Sequence, residues 1–213
     1  AAGTLCLFFL DDRSGAGQIY MMTSLDKGNS WTVSNQIYFA GAGTDGFSAC
    51  ADAAGGLNLV FNDISDGKLY FLKSSDGGST WTVKSPVTGF SSANPIIVPA
   101  AAGGGLSVFC ENTAGIKNIF TAASENGGLT WSLPLALTGA LSAPGAQNPR
   151  AVFSGGILFA AWQRENGIFL KKKASGGNWS GELRLSDSAA GNAVLACIAA
   201  QENNSLVCAW AAD

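Results

Sequence analysis

Acidic, amide and aromatic side chains recur together at the ends of short apolar runs in this 213-residue chain. Phe61-Asn62-Asp63, Cys110-Glu111-Asn112 and Trp162-Gln163-Arg164-Glu165 close three such runs, with Phe9 ahead of Asp11-Asp12-Arg13 and Trp210 in related positions. A second set precedes other runs: Asp45, Asn94-Pro95, Asn148-Pro149-Arg150 and Asn192. Planar amides and carboxylates supply the donors and acceptors that sugar hydroxyls need, and an aromatic face stacks on a pyranose. Two carboxylates roughly 5–10 Å apart across a cleft would instead hydrolyse a glycosidic bond, and Asp11, Asp63, Glu111 and Glu165 are the acids on offer. A plainer reading has Asn turning the chain before Pro while the aromatics fill space.

Other chemistries are narrowed by composition. The chain has no histidine, which removes His-based acid/base catalysis, His-containing triads and His-ligated metals. Five cysteines (Cys6, Cys50, Cys110, Cys197 and Cys208) without CxxC spacing give no zinc pattern, and each sits in an apolar stretch as a buried thiol would. No metal or cofactor is expected. The net charge is −3, and Lys171–Lys173 is the one basic cluster, so nucleic acid is not an expected partner. No apolar run reaches 18 residues, so no membrane-spanning helix is expected, and the first residues do not read as a signal peptide. Asn178-Trp-Ser180 and Asn203-Asn-Ser205 match the glycosylation sequon by chance.

The elements that must position these residues are short strands. The 28 glycines interrupt nearly every window, and the runs between them are rich in Val, Ile, Leu and Phe, as in an all-β fold. Trp31, Trp81, Trp131 and Trp179 are separated by 50, 50 and 48 residues. Before them stand Ser24-Leu-Asp26-Lys-Gly28-Asn-Ser30, Ser74-Ser-Asp76-Gly-Gly78-Ser-Thr80 and Ser124-Glu-Asn126-Gly-Gly128-Leu-Thr130, with a shorter Ala174–Asn178 before the fourth. A fixed period near fifty marks a repeat architecture. Asp closes a tight turn by accepting nearby N–H groups, Gly supplies a positive φ, and Trp gives a plate for packing on a neighbouring sheet.

These segments resemble the Asp-box (BNR) repeat, S-x-D-x-G-x-T-W, of sialidase-like β-propellers. The resemblance implies four-stranded antiparallel blades, with each box joining the third and fourth strands on the face remote from the ligand. It also implies a single propeller domain over 1–213, with repeats at about 1–45, 46–92, 93–145, 146–190 and a partial 191–213. The inner strands then fall at 49–51, 96–98, 151–153 and 195–199, and second strands at 5–9, 57–61, 106–110, 158–162 and 206–210. Third strands fall at 19–23, 69–73, 118–122 and 168–172, and a fourth starts at each box Trp. The chain therefore begins and ends on a second strand. Four blades leave one strand too many and five fall short, so an end strand is displaced, another chain completes the ring as a homo-oligomer, or the chain is cut from a larger protein.

On the face opposite the boxes this arrangement gathers Asn62, Asp63, Asn94, Glu111, Asn112, Asn148, Arg150, Trp162, Arg164, Asn192 and Trp210 as the expected carbohydrate-binding set. Sialidases clamp a carboxylate with three arginines and attack with a tyrosine. Here Arg13, Arg150, Arg164 and Arg184 include no F-R-I-P segment, and Tyr20, Tyr38 and Tyr70 all lie early. The expected function is a lectin-like, non-catalytic propeller with glycan partners and several shallow sites. A glycoside hydrolase using a carboxylate pair, and a protein-binding scaffold, are the alternatives.

Overall fold

The computed structural model describes residues 3–13, 15–38, 43–100, 104–139, 145–187, 193–201 and 205–212. Asn192 and Asn203 lie outside them. The described residues form antiparallel sheets and no helix. A three-stranded sheet comes first, β1(Leu5–Asp11), β2(Gln18–Ser24) and β3(Asn35–Tyr38). Next come β4(Phe47–Ala51), β5(Leu57–Asn62), β6(Lys68–Ser74) and β7(Ser85–Pro99), then β8(Leu106–Asn112), β9(Ile119–Ser124) and β10(Leu135–Ala136). The last strands are β11(Ala146–Ser154), β12(Ile157–Arg164), β13(Gly167–Ala174) and β14(Leu183–Arg184), followed by the pair β15(Ala193–Ala200) and β16(Leu206–Ala212). β7 serves two sheets: Ser85 to Ser91 pair with β6, and Ser92 to Pro99 pair with β8. Three four-stranded units thus stand between a three-stranded unit and a two-stranded one.

Alternation along the second strands explains how the units stack. In β5, Leu57, Leu59 and Phe61 point toward the preceding unit, where Leu59 and Phe61 join Ile19 of β2 in one cluster. Val60 points the other way, into a cluster with Val108 of β8. Two further clusters join β8 to β12 and β13 to β15, so each of the four junctions between units has its own apolar core. Period-2 patterning with both faces buried produces such continuous apolar runs.

Box hairpins lock those junctions. Ser74 Oγ donates to Asp76 Oδ1 (2.8 Å) and accepts from Gly78 N–H (2.8 Å), while Asp76 accepts Thr80 N–H (2.9 Å) and Thr80 Oγ1–H (2.6 Å). The Ser24–Ser30 and Ser124–Thr130 segments repeat the pattern. The carboxylate reaches four residues ahead, further than the tight Asx turn expected from sequence. Trp81, Trp131 and Trp179 then meet Phe8, Phe71 and Phe109 of the preceding unit edge-on, with ring centroids 5.3–6.3 Å apart.

Two expectations need correction. The fourth strands begin four residues after the box Trp, at Asn35, Ser85, Leu135 and Leu183. A hydroxyl one residue past each Trp bridges the gap: Thr32, Thr82, Ser132 and Ser180 each accept a third-strand N–H at 2.9–3.1 Å. Cys110 is buried, with burial pushing its thiol up to about 12, but Cys197 is exposed on the side of β15 turned away from the preceding unit.

Candidate functional site

Positive-φ asparagines mark where the chain enters two inner strands. Asn94 (φ 50°) and Asn148 (φ 55°) sit at irregularities in the β7–β8 and β11–β12 pairings. Asn tolerates the left-handed region better than most side chains, and the Pro that follows each one holds the chain away from helix. The local sequence Asn-Pro therefore builds the bend that swings an amide toward the end of the second strand.

That amide meets a conserved geometry rather than a fixed residue type. Asn94 Nδ2 donates to Glu111 Oε1 (2.7 Å), and Asn148 Nδ2 donates to Gln163 Oε1 (3.1 Å). Glu111 Oε1 also accepts the backbone N–H of Asn148 (2.6 Å), tying one unit to the next. One unit earlier, Asn62 Nδ2 plays the same stitching part, donating to Ser92 O and Ser92 Oγ at 2.8 Å each. Asn94, Glu111, Asn148 and Gln163 thus form one continuous cluster opposite the box hairpins. Gln163 was not among the expected binding residues, although its position, equivalent to Asn62 and Glu111 in the repeat, marks it.

Three of the four acids at the strand ends, Asp11, Asp63 and Glu111, are already committed, and Glu165 is exposed. Glu111 is 0% exposed, and Lys117 Nζ lies 3.1 Å from its Oε2. Asp63 is buried too and accepts from Lys84 Nζ (2.6 Å), Ser65 N–H (3.0 Å) and Ser65 Oγ–H (2.6 Å). Burial pushes the Asp63 carboxyl up, but these donors outweigh it and hold it below the ordinary value. Asp11 pairs with Arg13, whose donation draws its carboxyl down to about 2.

Trp162 is also 0% exposed. It lies on the side of β12 that faces the preceding unit, packed with Phe109 and Ile119, so both ring faces are covered by protein. The expectation that Trp162 stacks on a sugar is therefore corrected, and Asn62, Asp63 and Glu111 are likewise buried braces. Asn94 remains exposed, while Asn112, Asn148, Arg150 and Arg164 are half-buried. Arg164 grips Glu182 through both terminal nitrogens and lies 4.2 Å from the Phe169 ring centroid. Trp210 stands apart on β16, partly exposed.

No protein-family model and no curated protein sequence matches the chain. Solved structures do. A Dyadobacter fermentans protein of unknown function superimposes with a TM-score of 0.73 at 13% identity, over 98% of this chain and 71% of that one. The NanB sialidase of Streptococcus pneumoniae gives 0.61 at 18% identity, over 95% of this chain and 38% of the sialidase. The fold is that of a sialidase-like β-propeller. A Penicillium chrysogenum α-L-arabinanase superimposes as well, with a TM-score of 0.55 at 16% identity over 73% of the propeller described above and 53% of the arabinanase. The chain thus spans well under half of the sialidase and about half of the arabinanase.

Proposed function

We propose that this propeller binds carbohydrate without hydrolysing it, through amide groups at the approaches to its inner strands. Asn94, Asn148 and the amide of Gln163 make the central contacts, Asn112 and Arg150 flank them, and Trp210 offers a second, separate stacking position. Asn62, Asp63, Glu111 and Trp162 hold that surface rather than touch the ligand. One observation carries the reading: at the strand ends the acids Asp63 and Glu111 are buried and matched to a cation, while Asn94, whose Nδ2 rests on Glu111, is itself exposed. A hydrolytic pair needs two carboxylates facing a cleft, one of them able to hand over a proton.

Two further features favour binding over sialidase chemistry. Arg13, Arg164 and Arg184 are engaged by Asp11, Glu182 and the carbonyls of Ser186 and Asp187 respectively, and although Arg164 and Arg184 share the Phe169 ring, Arg13 lies in the first unit over Tyr20. The Tyr70 hydroxyl donates to Asp66 Oδ2 (2.8 Å), and that pair belongs to the β4–β7 unit, two units along the chain from Arg164 and Arg184. Neighbouring folds include enzymes named for sialic acid and arabinan, which fits a scaffold adapted to glycans.

Asn94→Gly and Asn148→Gly test the assignment, because glycine keeps the left-handed backbone while deleting the amide. Each is expected to weaken binding to a responsive glycan about tenfold, a loss of about 1.4 kcal/mol, and to lower the melting temperature, more for Asn94→Gly because it removes a donor from buried Glu111. Unchanged affinity in both variants would remove these residues from the site.

A further inference from the structure

On the box side, the junction between the β8–β9 and β12–β13 hairpins is built unlike the one before it. At that earlier junction large side chains of β5 and β6 fill the space beneath the Ser124–Thr130 box. Phe71 packs on Gly128, Lys73 reaches Gly127, and Asn58 is buried. Asp52 neutralises Lys73 (3.0 Å) and accepts from Asn58 Nδ2 (3.4 Å). One unit on, the strand register puts Ser107, Thr121 and Ala123 at the positions of Asn58, Phe71 and Lys73. Ala100 replaces the acid, since its N–H meets Gly105 O (2.8 Å) as that of Asp52 meets Gly56 O (2.8 Å). All four replacements are smaller.

The facing wall is altered too. Ser24, Ser74 and Ser124 pair with Leu5, Leu57 and Leu106, and Lys173 pairs with Leu158 in the same register. A lysine thus stands at the first position of the fourth box. It has no acceptor for the N–H that each serine takes from a box glycine. A Cβ at Gly78 or Gly128 would run into Met21 or Phe71 of the preceding unit, whereas Gly176 has open space and the nearest atoms to Gly177 belong to its own hairpin. What remains is a cavity of about 300 Å³, joined to a second compartment through Ser107, Ala123, Leu158 and Lys173. Lys173 is half-buried and makes no ion pair or hydrogen bond among the described residues. Glu125 lines the second compartment, but it is exposed and forms no ion pair with Lys173.

We propose that this cavity binds a small hydroxylated carboxylate, whose carboxylate gives Lys173 the partner that Asp52 gives Lys73. Charge-assisted bonds of that kind are the strong ones. The hydroxyls of Ser107 and Thr121 and the amide of Asn178 line the same cavity with no side-chain hydrogen bond among the described residues, and they suit the ligand's own hydroxyls. Leu158 and Trp179 supply the apolar contact. A volume of this order matches a single small molecule. The site lies on the box side, away from Asn94 and Asn148, and does not rest on the glycan reading of that surface.

Calorimetry and ligand-observed NMR on the intact chain test it, with D-glucuronate as the probe. Glucose carries hydroxyls without the charge, cyclohexanecarboxylate the charge without hydroxyls, and inorganic phosphate an anion alone. Glucuronate is expected to bind with a Kd of about 1 mM or tighter, and each of the other three at least about tenfold more weakly. Lys173→Met keeps the apolar stem and should weaken glucuronate by at least about tenfold. Thr121→Phe restores the side chain of the earlier junction and should close the cavity with Lys173 intact. If Thr121→Phe does not fold, Lys173→Met decides alone. No detectable glucuronate binding, or an unchanged affinity in Lys173→Met, overturns the proposal. So does glucose, cyclohexanecarboxylate or phosphate binding as tightly as glucuronate.

Discussion

At the scale of single residues, the box turns depend on two features that separate cleanly by substitution. Gly78 has φ 93°, and a Cβ there would lie 2.0 Å from Met21 Cε, whereas Gly77 has φ 73° and open space around it. Gly77→Ala should cost about 1 kcal/mol for the left-handed backbone alone. Gly78→Ala should cost somewhat more, because the flexible end of Met21 must also shift to admit the methyl, read as a lower denaturant midpoint. The box carboxylates give a pH signature. Donation from Thr80 and Ser30 holds Asp76 and Asp26 down at about 2. A folded-state pKa below the unfolded value means the stabilisation is complete at neutral pH and fades as pH falls from about 4 toward 2. Asp76→Asn should flatten that acid limb while melting close to the parent at pH 7. The third box already works this way, since Asn126 Oδ1 accepts Thr130 N–H (2.9 Å) and its Nδ2 donates to Thr130 Oγ1 (2.8 Å). Glu111→Gln should likewise be tolerated and should leave glycan affinity intact, because Gln163 fills the equivalent place in the next unit. A catalytic Glu111 would make that variant inactive.

Elements are held mainly through the junctions between units, and the tryptophans rank them. Trp131→Ala removes the plate that meets Phe71 at 5.3 Å and should cost about 3 kcal/mol. Trp31→Ala removes a half-open ring with no such partner and should cost much less, a difference that paired denaturant titrations will resolve. The strand pattern was legible from sequence because a fifty-residue period and Gly-bounded apolar runs directly encode repeated hairpins. Second- and third-strand positions follow from that phase. The delayed start of the fourth strands was not legible, since it depends on hydroxyls at Thr32, Thr82, Ser132 and Ser180 that substitute for strand pairing. The burial of Trp162 was readable in principle. Its position five in the second strand is the one that Phe61 and Cys110 fill at the two junctions before it, but that alternation gains meaning only once the direction of the neighbouring unit is known.

For the whole molecule, the same repeat that places amides on one face also consumes most of the acids there as braces. Recurrence alone could not separate ligand contacts from braces. Asn62, Glu111 and Gln163 occupy one position, and what divides them is which neighbour each bonds: Ser92 for Asn62, Asn94 and Asn148 for Glu111, and Asn148 for Gln163. The central claim is that this surface recognises glycans and does not cleave them. A glycan array probed with the intact chain, followed by incubation of each bound glycan with the same sample and mass analysis of the products, tests it most directly. The account predicts selective binding to at least one sugar class and recovery of every bound glycan uncut. Release of a cleaved product, or an array with no bound glycan at all, would contradict it.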